Sequence, residues 1–412
     1  MNILIITLFY APDGGSSAPL FALLCSTLAE RGHNVSVIAA VPHYPTGKVP
    51  LGFKGKWIRH SIENGVKVIR VAVPSLDRAD FKNRIFQFIC FQIGATLASL
   101  FRKFDVSIVT NPALETWLPF FFLAFLRSKP VIFSIHDVYP DVGIRLGIFR
   151  HKPVIAAVEM LERFCLNHSA GVRILSESFR TGIQRLGVPD SKIALIYDWV
   201  DTDLIRPLSR DNDFSREYSL NDKFVVLYAG NIGLSQGLEH VLTAAELLAD
   251  HDDLRFVFVG DGPGRENLQV QAGQRKLTNV CFFPFQPRER LADVLASANI
   301  SLITLRRGIG LDSLPSKTFS ALASGRPIIA SVDEESDTCH LINRAEAGVC
   351  IPPEDPGILA TTIITLKSDP HLCIRLGSNG RQYITRHHSR FKAAEQFERL
   401  FLTVIALRNN KN

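Results

Sequence analysis

The chain has seven cysteines in 412 residues, with no CxxC pair and no cysteine–histidine spacing that would hold a metal. A zinc site and a disulfide framework are therefore excluded as organising principles. Cys25, Cys90 and Cys165 instead fall inside apolar helical patterns, as reduced core thiols do. Dense basic blocks are also missing. Net charge is only +6, and no strip interleaves Lys or Arg with aromatics. That argues against a nucleic-acid partner and for small anionic ligands or an anionic membrane surface. No uninterrupted apolar run approaches the ~20 residues a spanning helix needs. The longest candidate, residues 84–101, is broken by Gln87 and Gln92 and flanked by Lys82, Arg84, Arg102 and Lys103. It reads as a helix, not a membrane span. A basic leader and a small-residue cleavage site are both lacking at the start, so residues 3–8 read as a first buried strand instead of a signal peptide. There is no solenoid repeat, no Asp-rich metal motif and no GxGxxG dinucleotide fingerprint.

What is present is a globular composition, 46% apolar and 21% charged, on a chain long enough for two domains. Apolar strand segments alternate with helical periodicity. Strands are expected at 2–8, 35–40, 66–71, 106–110, 131–135, 171–174 and 193–196. A polar, aromatic crossing follows at 197–207. A second series begins at 224–229 and continues at 255–259, 279–282, 300–304, 328–330 and 349–351. Two such runs predict an α/β protein of two Rossmann-like, doubly wound domains facing a cleft.

The polar punctuation falls where such folds bind ligands, after the carboxyl ends of strands. Gly14 and Gly15 in the loop PDGGSS permit close backbone approach to a ligand. His136-Asp137 follows the strand at 131–135 directly, which makes His136 a site candidate. A second glycine-containing loop covers 230–237, and Gly260-Asp261-Gly262-Pro263 follows another strand. The stretch GIGLDSLPSKTFSALASGRPIIA at 308–330 reads as loop, helix, turn and strand. Pro315 and Ser316 suit a helix start, and Gly325 and Pro327 stop the helix. Free N–H groups and Lys317 there would suit a phosphate, and Asp312 could bond sugar hydroxyls. Taken alone, the stretch also fits an ordinary α/β connection.

Together, PDGGSS, the HD pair, YAGNIG, VGDGPG and LPSKTFSALASGRPII resemble the retaining GT-B glycosyltransferases of family four (group 1), nearest to enzymes of bacterial O-antigen, capsule and colanic-acid assembly. The resemblance spans almost the whole chain and rests on the order and spacing of motifs. It implies that Gly14 and Gly15 approach the donor pyrophosphate and sugar. It makes His136 and Asp312 catalytic: His136 faces the donor sugar, and Asp312 stands at the first Glu of a Glu-x7-Glu motif. It assigns reading of the base to the backbone of the loop 285–287, which puts Phe285 and Gln286 in the donor site; Pro315, Ser316 and Lys317, the phosphate site read above, join them there. The sequence departs from the family at three donor positions. Ser320 occupies the second Glu, and Asn231 and Gln236 occupy the usual Arg and Lys. Lys317, Arg306 and Arg307 are nearby cations that could substitute.

The implied activity is that of a retaining hexosyltransferase. It would move a sugar from a nucleotide-diphosphate sugar, preferably UDP-linked, to an undecaprenyl-diphosphate-linked acceptor, with no metal or other cofactor. A non-catalytic subunit or a UDP-sugar 2-epimerase on the same fold are the alternatives. The domains are expected at 1–200 on the acceptor side and 201–390 on the nucleotide side, with a C-terminal helix over 391–412 that could cross back. Cations around the apolar helix at 84–101 suggest a cytoplasmic protein held peripherally on the inner membrane face.

Overall fold

Runs such as Ile3-Leu4-Ile5-Ile6 and Phe256-Val257-Phe258, with each residue at most 1% exposed, have no polar face to offer water. They form parallel strands covered on both sides by helices. The computed structural model describes residues 1–15, 17–78, 80–145, 149–309 and 314–409. The chain divides into two units, Met1–Asp198 with Arg390–Asn412, and Trp199–Ser389.

The N-terminal unit holds β1 (Asn2–Ile6), β2 (Asn34–Ala40), β3 (Ile58–Glu63), β4 (Val66–Val71), β5 (Val106–Thr110), β6 (Val131–Ser134), β7 (Gly171–Ile174) and β8 (Ile193–Leu195). Their order is β3-β4-β2-β1-β5-β6-β7-β8. β1 is parallel to both neighbours, with Ile3 opposite Val35 and Val106. Strand order thus reverses between β1 and β5, the position where open α/β sheets bind ligands. The last helix, Arg390–Asn409, belongs to this unit. Arg390 bonds Glu30 at 2.9 Å, and Glu398 receives Arg31 at 2.7 Å and His33 at 2.9 Å.

Sequence periodicity does not anticipate β3, which pairs antiparallel with β4. Its residues IRHSIE are largely exposed, Ile58 and Ile62 included, so no buried apolar face marks the strand. The overlooked signal is Asn64-Gly65, both at positive φ, a two-residue hairpin turn. The helix expected at 84–101 begins earlier, at Phe81, because Asp80 caps it by accepting from Lys82 N at 2.9 Å. Its two glutamines are structural ties. Gln87 is fully buried and donates to the carbonyls of Gly47, Pro74 and Leu76. Gln92 joins the helix Ala113–Phe121 through Leu114 O and Leu118 N. No described helix is long and apolar enough to cross a membrane.

The C-terminal unit holds β9 (Phe224–Ala229), β10 (Leu254–Val259), β11 (Val280–Phe283), β12 (Ile300–Thr304), β13 (Ile328–Ser331) and β14 (Gly348–Ile351). All six are parallel, in the order β11-β10-β9-β12-β13-β14, so the reversal here lies between β9 and β12. Val226, Tyr228, Phe256, Phe258, Ile300 and Ile329 form part of one core with the covering helices.

Candidate functional site

In the N-terminal unit the loop after β1 is fastened by a residue the sequence patterns do not single out. Asp13 is 7% exposed. One carboxylate oxygen accepts from Gly14 N and Tyr44 N, both at 2.9 Å, and the other from His43 N at 3.2 Å. It ties the β1 loop to the β2 loop. A side chain on Gly14 would stand 2.7 Å from the Tyr44 ring, while Gly15, at φ +94°, opens onto free space. A side chain at the first would press on the Tyr44 ring, and the positive φ at the second favours glycine.

Asn111 performs the same task beyond β5 and β6. Its Oδ1 accepts from His136 N at 2.7 Å and its Nδ2 donates to Asp137 O at 2.6 Å. His136 is thereby fixed at the end of β6, with its ring 5.4 Å from that of Phe21. Its Nε2 is buried without a hydrogen-bond partner. Burial, helped by the Arg173 guanidinium, holds its pKa down at about 4, so the imidazole is neutral at physiological pH. A neutral ring with an unmet nitrogen is equipped to bond a ligand hydroxyl.

In the C-terminal unit two glycine loops interlock. Gly230 N donates to Val259 O, Ile232 N to Asp261 O and Gly264 N to Ile232 O. Gly260 and Gly262 have φ of +148° and +147°, and side chains there would come within 1.9 Å of Gly230 O and 2.5 Å of Ile232 O. Only a bare backbone allows the β9 and β10 loops to approach this closely.

Lys317 arrives at this place from the far side of β12. It is half-buried, and its Cδ would be 3.7 Å from a side-chain carbon on Gly230. Nζ donates to the Tyr228 hydroxyl at 2.6 Å. Burial alone lowers its pKa to about 7, and no carboxylate among the described residues pairs with it. A partly desolvated ammonium without a counter-charge is an anion receptor.

Other expected donor residues divide between this spot and elsewhere. Asn231 is exposed, and its carbonyl accepts from Tyr228 Oη at 2.6 Å. Gln236 spends its amide on its own loop, accepting from Gly233 N and donating to Ser235 Oγ, both at 2.9 Å. Phe285 follows β11 and is 73% exposed, while Gln286 bonds Pro284 O and Arg290. Pro315 and Ser320 are half-buried and Ser316 is exposed. Contrary to the sequence reading, Ser316 makes no capping bond, and the helix it precedes, Lys317–Ala323, has seven residues. Arg306 is not available as a substitute cation. Its guanidinium lies between Glu239 at 3.0 Å and Glu354 at 3.1 Å. Arg307 donates to Pro353 O. Asp312 lies outside the described residues. Among the described residues no three His, Cys, Asp or Glu side chains gather to hold a metal ion.

Comparison with known proteins covers both units. Residues 17–199 match the glycosyl transferase 4-like domain, and residues 209–383 match glycosyl transferases group 1. The chain is 28% identical over 373 residues to the putative colanic acid biosynthesis glycosyl transferase WcaI of Escherichia coli, spanning 88% of this chain and 91% of that one. It is 25% identical over 349 residues to the probable glycosyltransferase WbjE of Pseudomonas aeruginosa, spanning 79% and 84%. Among solved structures, sucrose-phosphate synthase of Thermosynechococcus elongatus matches with a TM-score of 0.76 at 18% identity, over 98% of this chain and 99% of that one. HepE of Anabaena, solved with UDP, matches at 0.71 and 14% identity, over 98% and 100%. With both halves of the chain matched, it belongs to the glycosyltransferases that join a 4-like domain to a group 1 domain on the GT-B fold.

Proposed function

We propose that this glycosyltransferase moves a sugar from a nucleotide-diphosphate sugar, a UDP-sugar in particular, to a lipid-linked saccharide during assembly of a bacterial surface polysaccharide, with retention of configuration. The observation that carries the donor half is the Lys317 ammonium, held beside two glycine loops with no counter-charge among the described residues. Breaking a sugar–diphosphate bond builds negative charge on the leaving diphosphate, and a fixed cation in a dry setting stabilises that charge. Lys317 serves here in place of the cations that Asn231 and Gln236 replace. The exposed Phe285 ring offers a face to the base. HepE, solved with UDP and with UDP-glucose, supports the choice of nucleotide. His136 offers its unmet Nε2 to a sugar hydroxyl, and Asp312 retains the sugar-binding role that its sequence position suggests.

The acceptor half rests on the helix Phe81–Ser99. Phe86, Ile89, Ile93 and Leu97 are exposed along one stripe, and Phe101 beyond its end is 93% exposed. Lys82 and Lys103 are exposed at the two ends, while Arg84 and Arg102 are half-buried. Apolar side chains rimmed by lysines suit an anionic bilayer surface, which would hold the enzyme peripherally on the cytoplasmic face where a lipid diphosphate carrier lies. WcaI and WbjE, named for colanic acid biosynthesis and glycosyl transfer, support the polysaccharide role.

The test begins with melting curves against UDP, GDP, ADP and TDP, because a ligand that binds the native state raises Tm. Incubation of the selected sugar nucleotide with a lipid-linked acceptor follows. Transfer with retained configuration supports the reading. Epimerisation without acceptor, or no reaction, refutes it.

A further inference from the structure

Lys317 is reached through Tyr228, to which the sequence gives no role. Nζ donates to the tyrosine hydroxyl at 2.6 Å and stands 4.1 Å from the ring centroid. The hydroxyl donates in turn to Asn231 O at 2.6 Å. A carbonyl can only accept, so the phenol's one proton is committed to Asn231 and its lone pairs face the ammonium. Tyr228 is 1% exposed and lies on β9, which is paired on one side with β10 and on the other with β12. A long, rotatable side chain at the head of a seven-residue helix is thus fastened to the middle of the sheet. An ammonium has three donors; one meets Tyr228, and the other two are directed elsewhere.

We infer that Tyr228 is the positioning residue for the donor diphosphate. Its hydroxyl fixes the Lys317 ammonium and the Asn231 carbonyl together, so that cation and glycine loop are presented as one rigid receptor. This rests on the reading that the C-terminal unit binds a nucleotide-diphosphate sugar. Among the described residues, Tyr228 is the titratable group that Lys317 meets, and no charged side chain contributes to its perturbed ionisation. Arg306 is taken up by Glu239 and Glu354.

Tyr228→Phe keeps the ring and removes the acceptor. Binding of UDP to this variant should weaken roughly ten- to hundredfold, the range for a charged hydrogen bond, while uridine binding changes by less than about twofold. In a Lys317→Met background the same substitution should add almost nothing, because the hydroxyl acts through the ammonium. Equal losses for UDP and uridine, or additive losses in the double variant, overturn the role of Tyr228 while leaving the donor reading standing. A wild-type protein that binds none of UDP, GDP, ADP and TDP overturns both. Should Tyr228→Phe not fold, inorganic diphosphate, transparent in the near ultraviolet, provides a second readout on the wild type. Saturating diphosphate should perturb tyrosine absorption, and no difference spectrum overturns the proposal.

Discussion

Lys317 makes donor affinity depend on pH in a way that can be worked out in advance. Burial brings its pKa to about 7. If a diphosphate binds only the ammonium form, the apparent Kd scales as one plus the ratio of neutral to charged amine. Between about pH 6 and about pH 8 that factor rises roughly tenfold, or about 1.4 kcal/mol. UDP-glucose is the ligand of choice, since its doubly esterified diphosphate does not titrate across the neutral range. Calorimetry at several pH values should show affinity falling through neutrality. Lys317→Arg, which stays charged throughout, should flatten the curve. Lys317→Ala should remove about 1.5–3 kcal/mol from UDP binding and spare uridine. Stability should carry the same signature. The folded-state pKa is depressed below the ordinary lysine value, so the unfolded chain binds more protons between the two, and stability rises with pH through that window. Lys317→Met should therefore raise Tm more at acid than at alkaline pH. A flat wild-type binding profile, or an arginine variant that keeps the slope, refutes the reasoning.

His136→Ala should lower kcat at least about tenfold without unfolding the protein. With its pKa at about 4, His136 should produce no acid limb through the ordinary histidine range; a limb there that vanishes in the variant contradicts the assignment. Gly260→Ala places a carbon against Gly230 O at positive φ and should cost at least about 2 kcal/mol in a denaturation curve. Glu162 is 1% exposed and accepts from Ala113 N at 2.6 Å, and its pKa is pushed up to about 8 by burial. The native state holds that proton where the unfolded chain has lost it, so stability falls as pH rises towards 8; Glu162→Gln should raise Tm more at mildly alkaline than at acid pH. Replacing Lys82, Arg84, Arg102 and Lys103 by Ser should release the protein from anionic liposomes at low salt, and a wild-type protein that never floats with them ends the membrane proposal.

Much of this molecule was determined by its sequence. Buried strands such as β1 and β9 are fixed locally, because a run of Ile, Val and Leu has one kind of environment available. Glycines at 14, 230, 260 and 262 marked the loops, because only backbones without side chains tolerate those approaches and φ values. The polar β3 hairpin escaped periodicity, since an exposed edge strand needs no apolar face, although its Asn-Gly turn was legible. Tertiary structure decided which charges are available. Arg306 and Lys317 look alike along the chain, yet Glu354, 48 residues away, helps neutralise the first, and Tyr228, 89 residues away, holds the second. Asp13, Asn111 and Tyr228 gained their roles in the same way. Each lies in a loop or strand end and bonds residues that the fold brings to it, the Tyr44 and His43 amides to Asp13, His136 and Asp137 to Asn111 and the Lys317 ammonium to Tyr228, and such bonds leave no spacing in the sequence from which to read them.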